Sequence, residues 1–248
     1  MKISILMPIW ITNDELGYLT INALNSLGQT VLAKGDSLEF IVLDNGSTSW
    51  VDHFVSQKLD YYIRVPQNKG YPWAINTMAK VASGDYLAIA NNDIKVSDNW
   101  WLVAKEIFKR VKDAGTVHYK MLGYDQPTVP QKDIFPTGKE RWCHGSFFVI
   151  KKSVFEELGY DEGFGLGGYD DYDFYYRMRE KGYKQVYTNG AFFNHRDSST
   201  QLLRDPEERR QSDDKNREYY KSKHGEYPDA QFQKLFPEQF TKTWKPFP

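Results

Sequence analysis

Cysteine is nearly missing from this sequence: Cys143 stands alone among 248 residues. An internal disulfide is excluded, and a cytoplasmic, reducing compartment is the expectation that follows. Net charge is missing too, since 32 Lys and Arg offset 33 Asp and Glu to leave −1. That balance offers neither the broad positive footprint that nucleic acid requires nor a polybasic membrane patch. Long apolar runs are absent. The opening MKISILMPIW meets Pro8 and then Asp14 and Glu15. It lacks a small-residue cleavage site and is far too short to span a bilayer, so it reads as a first strand. No internal repeat or low-complexity segment occurs.

What is present is ordinary in amount and ordered in pattern. A chain of 248 residues fits one large domain, or one with a carboxyl-terminal appendage. Such a globule buries roughly 70–75% of its unfolded surface and needs no disulfide or metal to hold together. Aromatics reach 16%, with 17 Tyr and 7 Trp; they either fill a core or line a surface for sugars and nucleobases. Residues 3–7 form a β-rich apolar run stopped by Pro8, and Leu16, Leu19, Ala23, Leu24 and Leu27 have the spacing of a helix over 14–30. Strands are predicted over 38–43, 61–65 and 86–90, with helices over 51–58 and 71–83, the latter ended by Gly84. Strand and helix alternate, which gives a parallel sheet wrapped by helices. Ligands of such sheets sit beyond the carboxyl ends of the strands. The polar clusters 8–13, 44–47 and 91–93 lie at three of those ends and should converge on one crevice.

Beyond residue 96 the pattern is less regular. Ser97 is placed to cap a helix over 98–112, 116–120 reads as a short strand, and 123–140 as a loop rich in Gly, Pro and charge. An apolar strand is predicted over 142–150. Ser153 and Glu156 have the spacing of a capping box for a short helix ended by Gly159. After 163-GFGLGGYDDYD-173 come a helix to about Lys181, stopped by Gly182, and a strand over 184–188. The tail predicts a helix over 206–223 and then an extended arm.

Four constellations could carry chemistry. Asp44, at a strand end in LDNGSTS, is either an Asx-turn residue or an acceptor for a nucleobase or ribose. Asn91 and Asp93 share a face two residues apart, so they make either a polar turn or oxygen donors for a hard divalent ion. Asp170, Asp171 and Asp173 open a predicted helix, where the dipole favours acids, and Asp173 is spaced to pair with Arg177. Two further adjacent carboxylates after a glycine-rich segment need another account: mutual repulsion raises one pKa and suits it to proton abstraction. His195 is a structural histidine or, if Asp93 holds a metal, its nitrogen ligand.

In order, these pieces resemble the family 2 glycosyltransferases, inverting enzymes of the GT-A fold, and within them the rhamnosyl- and galactofuranosyltransferase-like branch. The resemblance rests on 5-ILMPIW-10, 40-FIVLDNGSTS-49, 68-NKGYPWAINTMAKVASGDYLAIANND-93, 145-GSFFVIKKSVFEELGYDEGF-164, 170-DDYDFYYRMREKGY-183 and 195-HRDSS-199, about four-fifths of the chain. It implies an α/β fold with a mostly parallel central sheet flanked by helices. Residues 1–204 would be the transferase domain, with 1–96 binding the nucleotide and 97–204 the acceptor, and 205–248 a helical and extended tail. Pro8 and the loop after it, with Asp44, Asn68, Asn91 and Asn92, would hold a UDP-, dTDP- or GDP-sugar. Asp93 and His195 would ligate Mn²⁺ or Mg²⁺. Asp171, paired with Asp170, would be the catalytic base, and Arg177 stands at the family's offset from it. The segment 163-GFGLGGYDD-171 also looks like the glycine-rich acceptor loop of the β-1,4-galactosyltransferases, which would give Gly167, Gly168 and Tyr169 to a carbohydrate or glycoconjugate acceptor. Departures are Tyr169, between the Gly pair and the carboxylates, and Asn91, where many relatives have Asp. Two other readings use the same residues: a metal-dependent hydrolase or nucleotidyltransferase, and a non-catalytic glycan-binding module. The tail aromatics Phe232, Phe236, Phe240, Trp244 and Phe247 are expected to pack on the core or in a homodimer contact.

Overall fold

Apolar residues alternating along β1 (Lys2–Ile9) set both faces of a sheet. Ile3, Ile5 and Met7 enter one buried cluster with helices α1 (Asp14–Gly28) and α3 (Trp100–Arg110), while Leu6 enters a second on the opposite face. A computed structural model of the chain describes residues 1–50, 53, 59–126, 139–140, 142–143, 145–196 and 203–238. The predicted helix over 51–58 apart from His53, most of the loop over 123–140, Ser198 and Ser199, and Phe240, Trp244 and Phe247 lie outside the described residues.

The alternation folds as expected in the first half. β2 (Ser37–Asn45), β3 (Tyr61–Val65) and β4 (Tyr86–Ala90) join β1 in parallel, with α2 (Tyr71–Val81) on the second face. The strand does not stop at Pro8. Its pairing with β4 ends at Leu6↔Ile89, so one side of Pro8 has no strand to receive the missing N–H, and β1 runs on beside β2 to Ile9↔Asp44.

The second half departs from a mostly parallel sheet. β5 (Ile94–Val96), β6 (Ala114–Gly123), β7 (Lys139–Glu140), β8 (Phe147–Lys151) and β9 (Lys184–His195) extend it in the order β3-β2-β1-β4-β8-β6-β9-β5, with β7 also on β9. β8 runs antiparallel to β4 and β6, and β9 is parallel to β6 but antiparallel to β5, so the sheet is mixed. β9 is longer than predicted because 189–191 form a bulge between Tyr119↔Thr188 and Lys120↔Phe192, and pairing then resumes. Asn99, not Ser97, caps α3; the Ser97 hydroxyl instead accepts the Phe192 N–H. The capping box at Ser153 does not form, since β8 passes straight into α4 (Lys152–Leu158) and Ser153 lies inside the helix. Gly159 does end it.

Helices α5 (Asp170–Glu180), α6 (Pro206–His224) and α7 (Pro228–Leu235) pack on the second face. Tyr220 and Phe232 are fully buried there, and Phe232 meets Trp142, Tyr172 and Tyr175 edge-on or tilted. No helix among the described residues is long and apolar enough to cross a membrane.

At the amino ends of the strands, burial favours protonation of Glu39, but bonds from Lys2, Ser4 and Ser83 outweigh it and hold the carboxyl near 2. That rim is self-satisfied.

Candidate active site

The loops leaving β1 and β2 are stitched together. The Ile11 N–H donates to the Ser47 hydroxyl at 2.8 Å, and the Ile11 carbonyl accepts the Thr48 N–H at 2.9 Å, which places Pro8 and Asp44 side by side. Asp44 is fully buried and completes an Asx turn, accepting the Ser47 N–H at 2.8 Å. Its other oxygen takes the Tyr62 hydroxyl at 2.9 Å and Arg64 Nε at 3.1 Å. A ligand entering here meets Tyr62 and the 45%-exposed Arg64 before it reaches the carboxylate. Sequence reading missed both, because a strand residue two turns of chain away carries no local signal. Asn68 is exposed and joins this rim to α2: its Oδ1 accepts from Asn45 Nδ2 and the Gly70 N–H, each at 2.9 Å.

The end of β4 divides its polar residues. Asn91 is half-buried, with its backbone N–H on the Ser146 carbonyl at 2.9 Å. Asn92 turns to α1, donating from Nδ2 to Thr20 Oγ1 at 2.9 Å, both buried. Its side chain thus anchors the turn to a helix. Asp93 is buried, and antiparallel pairing of β5 with β9 delivers His195 to it, with Nε2 3.2 Å from Oδ1. Among the described residues no cluster of three His, Cys, Asp or Glu could hold a metal. The pair nevertheless fits a divalent ion as two of its ligands, since a carboxylate oxygen and an imidazole nitrogen 3.2 Å apart are donor types that such ions take together.

Asp170 and Asp171 begin α5. Burial, and then repulsion from Asp171, pushes the Asp170 carboxyl up to about 7 against the Gly168 N–H, which donates to its Oδ1 at 2.6 Å. Burial pushes Asp171 up to about 6, opposed by the N–H groups of Tyr172 and Gly145. A residue the sequence did not flag sits between these acids and Asp93. The Tyr71 hydroxyl donates to the Gly145 carbonyl at 3.3 Å, and burial followed by the fields of Asp170, Asp171 and Asp93 holds it protonated. It looked like a helix-start residue before Pro72, and nothing local marked it otherwise.

The raised carboxyl pKa has a testable sign. A folded-state value of about 7 against an ordinary 3.8 means that the associated stability is complete below 3.8 and is lost as pH rises through 7. Asp170→Asn should therefore raise the unfolding free energy at pH 8 by on the order of 2–4 kcal/mol and leave it nearly unchanged at pH 4. Thermal unfolding of both proteins at the two pH values measures this; equal effects at both would refute the burial account.

The glycine-rich segment before α5 is shaped from both sides. Gly167, Gly168 and Tyr169 all have positive φ, at 113°, 100° and 64°. A Cβ on Gly70 would lie 1.9 Å from the Gly165 carbonyl oxygen, so backbone meets backbone there. Leu166 is 45% exposed at its tip, while the carbonyls of Phe164, Gly167 and Gly168 accept from Asn216 Nδ2 on α6. Gly167 and Gly168 are thus held from behind, and Tyr169 packs on Tyr172. Arg177 pairs with Asp173 at 2.8 Å and donates to the carbonyls of Leu158 and Gly159, so it ties α5 to α4.

The family model described as Glycosyl transferase family 2 matches residues 4–159. No curated protein sequence matches. Among solved structures, TarS 1-349 of S. aureus in complex with UDP-GlcNAc is 16% identical with a TM-score of 0.61, covering 86% of this chain and 64% of that one. Its complex with UDP is 17% identical with a TM-score of 0.58, covering 78% and 60%. GalNAc-T7 with UDP, GalNAc and Mn²⁺ is 16% identical with a TM-score of 0.63, covering 79% and 44%. The chain thus spans less than two thirds of the length of each of these structures. At such identities the likeness is one of fold, the GT-A arrangement expected from the sequence.

Proposed function

This chain belongs to glycosyl transferase family 2, and on that premise we propose that it moves a sugar from a nucleotide-sugar donor to an acceptor hydroxyl, with inversion at the anomeric carbon. The observation that carries the reading is the 145–146 turn. Its Ser146 carbonyl takes the Asn91 N–H, and its Gly145 backbone touches both Tyr71 and Asp171. These contacts, with Tyr71 in the fields of Asp93, Asp170 and Asp171, support a reading in which the Asp93–His195 pair and the Asp170–Asp171 pair serve one site.

Asp93 and His195 hold Mn²⁺ or Mg²⁺ in this reading, and the cation supplies positive charge against the donor's diphosphate. The rim formed by Pro8, Asp44, Asn68 and Asn91, with Arg64, takes the nucleotide. UDP in two of the structural neighbours favours a uridine donor over the dTDP or GDP alternatives. Asp171 accepts the proton of an acceptor hydroxyl on a carbohydrate or glycoconjugate. That oxygen bonds to the anomeric carbon as the bond to the diphosphate breaks, and the electron pair leaves with the nucleotide. One displacement inverts the configuration.

UDP at 100 times its Kd, with Mn²⁺, should stabilise the protein by about 2.7 kcal/mol, a rise in Tm of about 5–11 °C for a chain of this size. Asp93→Ala should remove the Mn²⁺-dependent part. A panel of nucleotide sugars assayed with and without acceptor then decides between classes. Acceptor-dependent release of UDP supports transfer, free sugar without acceptor supports a hydrolase, and binding without turnover supports a glycan- or nucleotide-binding module. A UDP shift indifferent to Mn²⁺ in both proteins would remove the metal from the reading.

A further inference from the structure

Helix α6 is polar along nearly its whole length; only Asn216 and Tyr220 are buried in its 19 residues. Tyr220 is a natural choice for a core. Asn216 is not, because a buried amide left without partners costs on the order of 1–3 kcal/mol. Its one amide nitrogen has three partners, the carbonyl oxygens of Phe164 at 2.9 Å, Gly167 at 2.9 Å and Gly168 at 3.1 Å. Those oxygens converge because successive positive φ angles turn the peptides of 167–169 out of any regular ladder. The Phe164 carbonyl also accepts the Gly167 N–H at 3.1 Å, and the Asn216 side chain meets all three.

The same short run of peptides has a second duty. The Gly168 N–H holds Asp170 Oδ1 at 2.6 Å, so one residue is gripped through its carbonyl by α6 and grips the acid pair through its nitrogen. The rest of α6 fixes both ends of the segment. Lys223 reaches Asp161 and Asp173, each at 2.5 Å, His224 reaches Asp173 at 2.8 Å, and the Tyr219 hydroxyl donates to Asp161 at 3.1 Å. On the far side the segment abuts α2, where the Tyr71 N–H donates to the Leu166 carbonyl at 3.4 Å. Everything between Asp161 and Asp173 is thus clamped between the helix that carries Tyr71 and a helix beyond the family match at 4–159.

We propose that α6 belongs to the catalytic apparatus, and that Asn216 is a positioning residue: by fixing the glycine-rich segment it sets Asp170 beside Asp171 and shapes the wall that an acceptor meets. This rests on the transferase reading above.

The test uses the full chain with three substitutions. Asn216→Ala removes the donor, and Asn216→Asp sets a carboxylate oxygen against three carbonyl oxygens. Tyr220→Phe, one turn along, removes a hydroxyl that bonds to Gln231 and nothing in the segment. Hydrogen exchange of the peptide covering 163–170 and steady-state kinetics with the nucleotide sugar found by the panel are the readouts. Asn216→Ala should speed exchange in that peptide and lower kcat at least about tenfold, with the KM for the nucleotide sugar little changed, since loosening of about an ångström at a catalytic group has effects of this order or larger. Asn216→Asp should be lower still, and Tyr220→Phe should lose some thermal stability but no kcat. Unchanged exchange in Asn216→Ala overturns the clamp. Faster exchange with unchanged kcat, or equal kcat losses in Asn216→Ala and Tyr220→Phe, makes Asn216 merely structural and overturns the positioning role. An unsubstituted chain that turns over no sugar in the panel overturns the transferase reading itself, and the catalytic role of α6 falls with it.

Discussion

Asp171→Asn should lower sugar transfer by about 10²–10⁴-fold, the range that loss of a general base produces, and should leave Mn²⁺-dependent UDP binding in place. The amide keeps the volume of the carboxylate and can still accept the N–H groups of Tyr172 and Gly145, so the turn that joins Asn91 to α5 stays in place. What it cannot do is take a proton. Burial lifts the Asp171 carboxyl to about 6, close enough to neutrality for it to be both ionised and usefully basic. Its neighbour is a poor substitute, because Asp170 Oδ1 is committed to the Gly168 N–H at 2.6 Å. Initial rates with the sugar found by the panel, beside a UDP titration, measure both halves. Full turnover in the variant would shift the base elsewhere, and lost UDP binding would make the residue a ligand of the donor instead.

The second large effect is on stability. Asp173 is fully buried with three basic partners, Arg177 at 2.8 Å, Lys223 at 2.5 Å and His224 at 2.8 Å. Asp173→Ala takes the carboxylate from Arg177 and His224 in a partly dry site and leaves Lys223 only Asp161. Removing one member of a buried ion pair typically costs about 3–5 kcal/mol, which for a chain of this size is a fall in Tm of about 6–20 °C. Asp173→Asn, which keeps the volume and an acceptor, should lose less. Urea or thermal unfolding of the two variants checks the order. A loss below about 1 kcal/mol in the alanine variant would place the cluster among surface ion pairs of little worth.

Legibility in the sequence followed the range of the interactions. β1 to β4 and their helices were readable because period-2 and period-3.6 apolar patterns are local, and so was the place of Asp93 at a strand end. The partnership of Asp93 with His195 was offered only as one of two readings of that histidine, since the β5–β9 pairing that creates it joins residues far apart in the chain. The strand predicted over 184–188 stopped early because the pairing is interrupted by a bulge after Thr188 and resumes at Phe192. Ser97 and Asn99 are both good caps, and tertiary bonding of the Ser97 hydroxyl to Phe192 decided between them. Asn216 was invisible for a different reason: an asparagine in a charged helix is read as solvated, and only the carbonyls gathered opposite it explain its burial.

The reach of α6 back to the glycine-rich segment also has a consequence for timing. Chains are made from the amino end, and domains begin to organise during synthesis. β2, which carries Asp44, and β4, whose end leads to Asp93, both pair with β1 within the first part of the chain. Asp170 emerges from the ribosome well after them, and the helix whose amide gathers Phe164, Gly167 and Gly168 emerges later again. On the proposed function, a nascent chain would therefore own its nucleotide rim before it owned a finished acid pair, and chemistry would wait for α6.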